Sequence, residues 1–292
     1  MSAPTPGSPE WLRIVTASKV AAIVGVSPWE SPRSMWHKMR GDITDTRESA
    51  SMARGNYLEA GVLAWWADRH DLIGGVATQV HVTRDDLDYP AAATLDGYAT
   101  EVTGDGGDLV IVEAKTAARM DDWGTPGTDE IPLHYLTQVH WQLAMVPDAE
   151  RAYVAVLGPF LEFFEYVVER DYTIVADLIA ACGKFHESLI GGEPPDLDDS
   201  VATFETLRAM NKGVDKGAAV DIDHATALEL VTARAAEDEA IARARLADSR
   251  VIDAAGIAQL ITHNGVTVAR QQANRRRPIV TATINDLTGD AA

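Results

Sequence analysis

The chain has 292 residues, of which 46% are hydrophobic and 24% charged, a globular composition that argues against disorder along its whole length. Its formal net charge of −19 argues against a protein that coats nucleic acid. The charge is unevenly distributed along the sequence. Between Trp11 and Gly41 there are five basic residues and one acidic residue, and Arg270 and Arg275–Arg277 form a second basic cluster. The sequence is therefore compatible with nucleic acid bound at one confined site.

The single cysteine, Cys182, excludes an internal disulfide framework and a four-cysteine iron–sulfur cluster. The longest apolar run, Val20–Val26, is far shorter than the ~20 residues that a membrane span needs. Met1–Glu10 has neither the basic start nor the apolar centre of a signal peptide. We therefore expect a cytoplasmic protein.

Apolar periodicity, caps and turn residues predict alternating helices and strands up to about residue 192. The predicted helices are Thr16–Val24, Ser34–Arg40, Ser51–His70, Pro132–Met145 and Tyr172–Ile190. The predicted strands are Ala77–Thr83, Ala92–Val102, Asp108–Lys115, Arg151–Leu157 and Glu162–Val168. The fold class is therefore α/β, with strands and helices packed in one core.

The rest of the chain predicts an accessory region. Ala225–Ala255 is a helical stretch rich in alanine and charge, and Ile257–Ala269 has the pattern of a hairpin around Asn264-Gly265. The domain boundaries that we predict are a flexible tail over 1–10, a core over 11–192, a linker over 193–224, and a helical and hairpin region over 225–292.

Two carboxylates and a lysine are predicted to converge on adjacent strands. Asp96 lies at the end of one strand, and Glu113 and Lys115 project from the same face of the next because they are two residues apart. Oxygen ligands of this kind suit Mg²⁺, and the lysine can orient or deprotonate an attacking water. The alternative is an ordinary ion pair between Glu113 and Lys115 on an exposed sheet edge, with Asp96 serving its turn.

Further polar residues add to this group. Glu59 lies on the helix before the sheet, and Gln138 and Gln142 are spaced i, i+4 on an otherwise apolar helix. Arg13 and Ser18 precede or open a helix, a place suited to a phosphate. Each has a plainer reading as well: a solvated glutamate, glutamines bonded to the backbone, and a serine that only caps the helix.

In this order, the motifs resemble the YqaJ-type viral recombinases, the lambda-exonuclease-like members of the PD-(D/E)xK nucleases. The resemblance runs from about Trp11 to Ile190. It depends on Arg13…Thr16-Ala-Ser18, Gly55…Glu59, Leu95-Asp-Gly97, Glu113-Ala-Lys115 and Gln138…Gln142. It implies a restriction-endonuclease-like core, a mixed central sheet flanked by helices.

The resemblance also implies an activity, a Mg²⁺-dependent exonuclease that digests one strand of linear duplex DNA from its 5′ end, with Mn²⁺ as a substitute metal and no iron–sulfur cluster. By the same analogy, the metal-binding residues are Glu59, Asp96, Glu113 and Ala114. Lys115 acts on the nucleophilic water with support from Gln138. The residues implied at DNA and its 5′-phosphate are Arg13, Ser18 and Gln142.

The partners implied by the family are DNA ends, a single-strand annealing protein and, as the assembled form, a homotrimer in a bacterial or phage-infected cell. Leu95 stands where the family usually has proline, and the spacing from Arg13 to Ser18 is shorter than in its best-known member. Two other readings stay open: a structure-specific endonuclease of the same fold, and a non-catalytic module that binds DNA ends.

Overall fold

A computed structural model describes residues 4–5, 7–43, 50–104, 106–272 and 279–282. The chain divides into two compact units, residues 1–214 and residues 215–292. The basic run Arg275–Arg277 lies outside the described residues. Among the described residues, no helix is both long enough and apolar enough to span a lipid bilayer.

The first unit contains seven helices and six strands among the residues that the structure describes. In chain order they are α1 (Pro9–Leu12), β1 (Val15–Thr16), α2 (Ala17–Ile23), α3 (Pro32–Arg40), α4 (Ala50–Ala67), β2 (Leu72–Thr83), β3 (Ala91–Thr103), β4 (Gly106–Thr116), α5 (Leu133–Met145), β5 (Arg151–Leu157), β6 (Phe163–Glu169), α6 (Tyr172–Gly191) and α7 (Val201–Met210). A short 3-10 turn, Pro159–Leu161, joins β5 to β6. The second unit contains α8 (His224–Ala255), β7 (Leu260–His263), β8 (Val266–Gln272) and β9 (Ile279–Ala282).

The six strands of the first unit form one mixed sheet in the order β1-β3-β4-β5-β6, with β2 also paired to β3. β3 runs antiparallel to β2 and β4, and β5 runs antiparallel to β6. The pairs β1–β3 and β4–β5 are parallel. The mixed sheet confirms the predicted α/β fold class.

Helices cover both faces of the sheet. On one face, α2, α5 and α6 pack against a core that includes Ile111 of β4. On the other face, α4 packs against Val110 and Val112. Because side chains alternate along a strand, Glu113 and Lys115 share the α5 face with Ile111.

The ends of the first unit differ from the predicted boundaries. Ser8 caps α1 by accepting a 3.2 Å hydrogen bond from the Trp11 amide, and Lys19 Nζ holds the same segment by donating to the Trp11 carbonyl at 2.6 Å. Ser8, Pro9 and Glu10 are therefore part of a capped helix. The tail was predicted from composition alone. Composition does not show that Lys19, eight residues after Trp11, is buried and bonded to this segment.

The predicted linker over 193–224 also differs from the structure. It contains α7, which packs on α3: the Ser31 and Thr203 hydroxyls share a 2.7 Å hydrogen bond, and Arg33 donates to the Pro195 carbonyl at 2.6 Å. These contacts join residues more than 160 positions apart in the sequence. They extend the first unit to Val214.

Gly97 has no room for a side chain. An added Cβ would lie 3.0 Å from Val112 Cβ, 3.1 Å from Leu63 Cδ2 and 3.2 Å from a methyl of Val76. We expect Gly97→Ala to lower the free energy of unfolding by about 1–3 kcal/mol, because three packed side chains would have to shift. Chemical denaturation followed by circular dichroism measures this change.

The matched control is Gly61→Ala in α4, where an added Cβ meets no atom within 4 Å. This change should raise the free energy of unfolding by about 0.5–1 kcal/mol, because alanine loses less entropy than glycine in a helix. Equal stability of the two variants would contradict the packing described at Gly97.

Candidate active site

Asp96 lies where two paired strands separate. The ladder between β3 and β4 ends at the pair Gly97 and Val112. Two residues beyond Val112, the Ala114 amide donates a 3.0 Å hydrogen bond to Asp96 Oδ2. The Asp96 side chain thus takes the place of the backbone acceptor that a continued ladder would provide. Because both backbone groups of a strand residue are directed to the same edge, the Ala114 carbonyl shares this edge with Asp96.

Glu113 is the buried centre of the site. Its side chain is 2% exposed. Lys115 Nζ and the Gln138 amide both donate to Oε1, and the Gln142 amide donates to Oε2. The Glu113–Lys115 ion pair of the plainer reading is therefore present, but it is buried under α5 rather than placed on an exposed sheet edge.

The two glutamines come from one face of α5. Gln142 is fully buried and Gln138 is half-buried, one turn nearer the beginning of the helix. The alternative in which both glutamines bond only to backbone groups does not hold, since both amides donate to Glu113. These bonds attach α5 to β4 at the site.

Negative charge is crowded at this point. Burial, and then the nearby Glu113 carboxylate, raise the pKa of Asp96 well above its usual range, because two carboxylates close together cannot easily both ionise. Burial alone would lower the pKa of Lys115, but the charges of Glu113 and Asp96 outweigh burial and raise it. Lys115 is therefore an ammonium ion, and the cluster favours additional positive charge.

Glu59 approaches the same cluster from α4. Its negative charge contributes to the raised pKa of Asp96, after the larger effects of burial and Glu113. One of its oxygens, Oε1, accepts a hydrogen bond from the Gln79 amide of β2. Sequence reasoning missed Gln79, because its position opposite Asp96 depends on the pairing of β2 with β3.

Two aromatic residues that sequence reasoning also missed border Lys115. The Tyr135 ring centroid lies 5.0 Å from Lys115 Nζ, and His134 lies against Tyr135 with ring centroids 4.0 Å apart. Burial and the charge of Lys115 lower the pKa of His134. The apolar periodicity of α5 predicted core positions here and gave no signal for contacts with the lysine.

Arg13 and Ser18 lie at the junction of α1, β1 and α2. Arg13 ends α1, Ser18 lies in the first turn of α2, and both side chains are exposed. The Ser18 hydroxyl shares a 3.2 Å hydrogen bond with Thr16 Oγ1. β1, which lies between the two residues, runs parallel to β3 and ends beside Ala92, four residues before Asp96.

The donor set is compatible with a magnesium ion. Among the described residues, no three His, Cys, Asp or Glu side chains lie together closely enough to hold a metal. Mg²⁺ needs fewer protein ligands, because it keeps several waters and binds through one or two carboxylates. Asp96, Glu113 and the Ala114 carbonyl supply oxygen atoms of this kind, and burial, followed by the charge of Glu113, raises the pKa of Asp96.

Comparison with known proteins finds a matching family model and related proteins. Residues 10–149 match the model of the YqaJ-like viral recombinase domain. The chain is also 26% identical over 226 residues to the uncharacterized protein YqaJ of Bacillus subtilis (strain 168), an alignment that covers 73% of this chain and 66% of that protein. The family predicted from the sequence is thereby confirmed.

Solved structures similar to this chain include two described as exonucleases. LHK-Exo in complex with dAMP, an alkaline exonuclease from Laribacter hongkongensis, aligns at 20% identity and a TM-score of 0.49 over 63% of this chain and 92% of its own. A putative exonuclease from Eubacterium rectale aligns at 12% identity and a TM-score of 0.47 over 75% of this chain and 97% of its own. At least a quarter of this chain lies outside each alignment.

The two glutamines of α5 differ in burial, and this difference is testable. We expect Gln142→Ala to lower the free energy of unfolding by about 1–3 kcal/mol, because it leaves Glu113 Oε2 buried without its donor. Gln138→Ala should lower it less, since Gln138 is half-buried and Glu113 Oε1 keeps Lys115. Parallel urea denaturation of both variants measures this order, and a larger loss for Gln138→Ala would contradict the geometry.

Proposed function

We propose that this protein is a metal-dependent nuclease that degrades one strand of linear duplex DNA from its 5′ end, in recombination by single-strand annealing. The observation that carries the proposal is the cluster of Asp96, Glu113 and Lys115 at the point where β3 and β4 separate. A protein that only bound DNA would have no need of a lysine buried against two carboxylates. The match of residues 10–149 to the YqaJ-like viral recombinase domain supports nuclease chemistry in recombination.

In the proposed reaction, Asp96, Glu113 and the Ala114 carbonyl would hold Mg²⁺ or Mn²⁺, and Glu59 would assist from α4. The bound metal would supply a Lewis acid that polarises the scissile phosphate and lowers the pKa of a coordinated water. Gln138 and Gln142 donate to Glu113 without cancelling its charge, so they orient the carboxylate and preserve its attraction for a cation.

Lys115 acts through its positive charge. As an ammonium ion it donates hydrogen bonds and accepts none, which favours orienting the attacking water over deprotonating it. The same charge opposes the negative charge that develops on the phosphorus oxygens in the transition state. Its ion pair with Glu113 keeps Nζ at the site before substrate binds.

The proposed setting follows the family. The proposal includes a single-strand annealing protein as partner, a homotrimer as the assembled form, and the cytoplasm of a bacterial or phage-infected cell as the place of action. Because the chain carries a net charge of −19, contact with DNA would be confined to a local basic channel.

Digestion of linear duplex DNA with Mg²⁺ tests the activity, using 5′-phosphate, 5′-hydroxyl and covalently closed ends. Loss of the 5′-phosphorylated strand alone is the expected result. Cutting of closed circles would instead indicate a structure-specific endonuclease. Absence of cleavage with Mg²⁺ and with Mn²⁺ would leave a module that only binds DNA ends.

Lys115→Ala should reduce the cleavage rate by at least ~1,000-fold and leave DNA affinity within a few-fold of wild type, because the lysine stabilises the transition state more than the bound substrate. Single-turnover cleavage and fluorescence anisotropy measure the two quantities separately. The matched control is Lys184→Ala, on the exposed surface of α6. Near wild-type cleavage by Lys115→Ala would refute the mechanism.

Arg13→Ala should erase the preference for 5′-phosphorylated over 5′-hydroxyl ends and leave metal affinity unchanged, because Arg13 is proposed to contact only the terminal phosphate. The ratio of initial rates on the two ends measures the preference. Arg208→Ala, which removes an exposed arginine of α7, serves as control. An unchanged ratio in Arg13→Ala would assign the phosphate pocket to other residues.

A further inference from the structure

β2 is irregular opposite Asp96. Thr78 pairs with Gly97 and Val80 pairs with Leu95, whereas Gln79 lies between the two pairs with a φ of 54°. Few residues other than glycine adopt this left-handed conformation. The strained position therefore lies directly across from the aspartate of the site.

Glycine occupies the other two left-handed positions of β2. Gly74 and Gly75 have φ values of 79° and 81° at the register shift between Ile73 and Val76. Gln79, in contrast, carries a long amide side chain on a left-handed backbone that glycine would adopt without strain. Strain retained at such a position indicates that the side chain has a role.

The Gln79 side chain contacts a residue of the site. The Gln79 amide, on β2, donates a hydrogen bond to Oε1 of Glu59, on α4. Only one Glu59 oxygen takes part in this bond, so Oε2 keeps its capacity to bind a cation. Because glutamine is neutral, Gln79 holds the carboxylate and leaves its charge intact, which lysine or arginine would not do.

We propose that Gln79 is a positioning residue, whose left-handed backbone directs its amide to Glu59 and fixes that carboxylate for the divalent metal. This inference rests on the proposed function, because it requires a metal at Asp96 and Glu113. It assigns a role to a residue outside the set of proposed metal ligands. Hydrogen-bond partners of metal ligands typically change metal affinity by 10-fold to 100-fold when they are removed.

Gln79→Gly separates positioning from a structural role. Glycine fits the left-handed backbone and removes the amide, so stability should stay equal or rise while Mn²⁺ affinity falls by about 10-fold. Isothermal titration calorimetry of the DNA-free protein with Mn²⁺ measures affinity, and thermal unfolding measures stability. Thr78→Ala, the exposed neighbour in β2, is the matched control and should change neither quantity.

A second variant completes a double-mutant cycle. Glu59→Gln should also lower Mn²⁺ affinity, and adding Gln79→Gly to it should lower affinity no further, because the positioned carboxylate is already absent. Additive losses would overturn the inference, and so would an unchanged affinity in Gln79→Gly. Loss of affinity together with loss of stability would indicate a structural role and equally overturn it. If the wild-type protein binds no Mn²⁺, the proposed metal dependence fails instead.

Discussion

The structure depends on one buried carboxylate. Glu113 lies in the middle of a strand with its side chain 2% exposed, where an ionised group without partners would be strongly destabilising. Lys115, Gln138 and Gln142 supply the donors that make its burial possible. Two of these donors come from α5, so the need to satisfy Glu113 fixes how α5 lies on β4. The hydrophobic core around Ile111 and Val139 then packs in agreement with that placement.

A second constraint is the separation of β3 from β4. The ladder stops at Gly97, whose lack of a side chain lets β3 approach Val112 and Leu63 closely. Past this point the strands diverge enough for the Asp96 carboxylate to accept the Ala114 amide. A regular ladder would have filled this space with backbone hydrogen bonds. The opening thus brings Asp96 to the same place as Glu113 and Lys115.

The sequence predicted those parts of the molecule whose signal is local. The hairpin between β3 and β4, the face shared by Glu113 and Lys115, and the paired glutamines of α5 all follow from spacing along one or two elements. The left-handed Gln79 could not be predicted, since it arises from pairing between β2 and β3. The packing of α7 on α3 was missed because it depends on polar contacts between distant segments. Arg13 and Ser18 were predicted as a pair, and the structure places them at the end of α1 and in the first turn of α2.

The ion pair between Lys115 and Glu113 has a consequence for biosynthesis. Lys115 is paired with Glu113 and the Ala114 amide donates to Asp96, so each of these carboxylates already has a donor from the chain itself. Small zinc domains, in contrast, fold only when their metal neutralises the ligands. This chain is expected to reach its native state before it meets a metal ion, so that a chelator would remove metal from the folded protein without unfolding it.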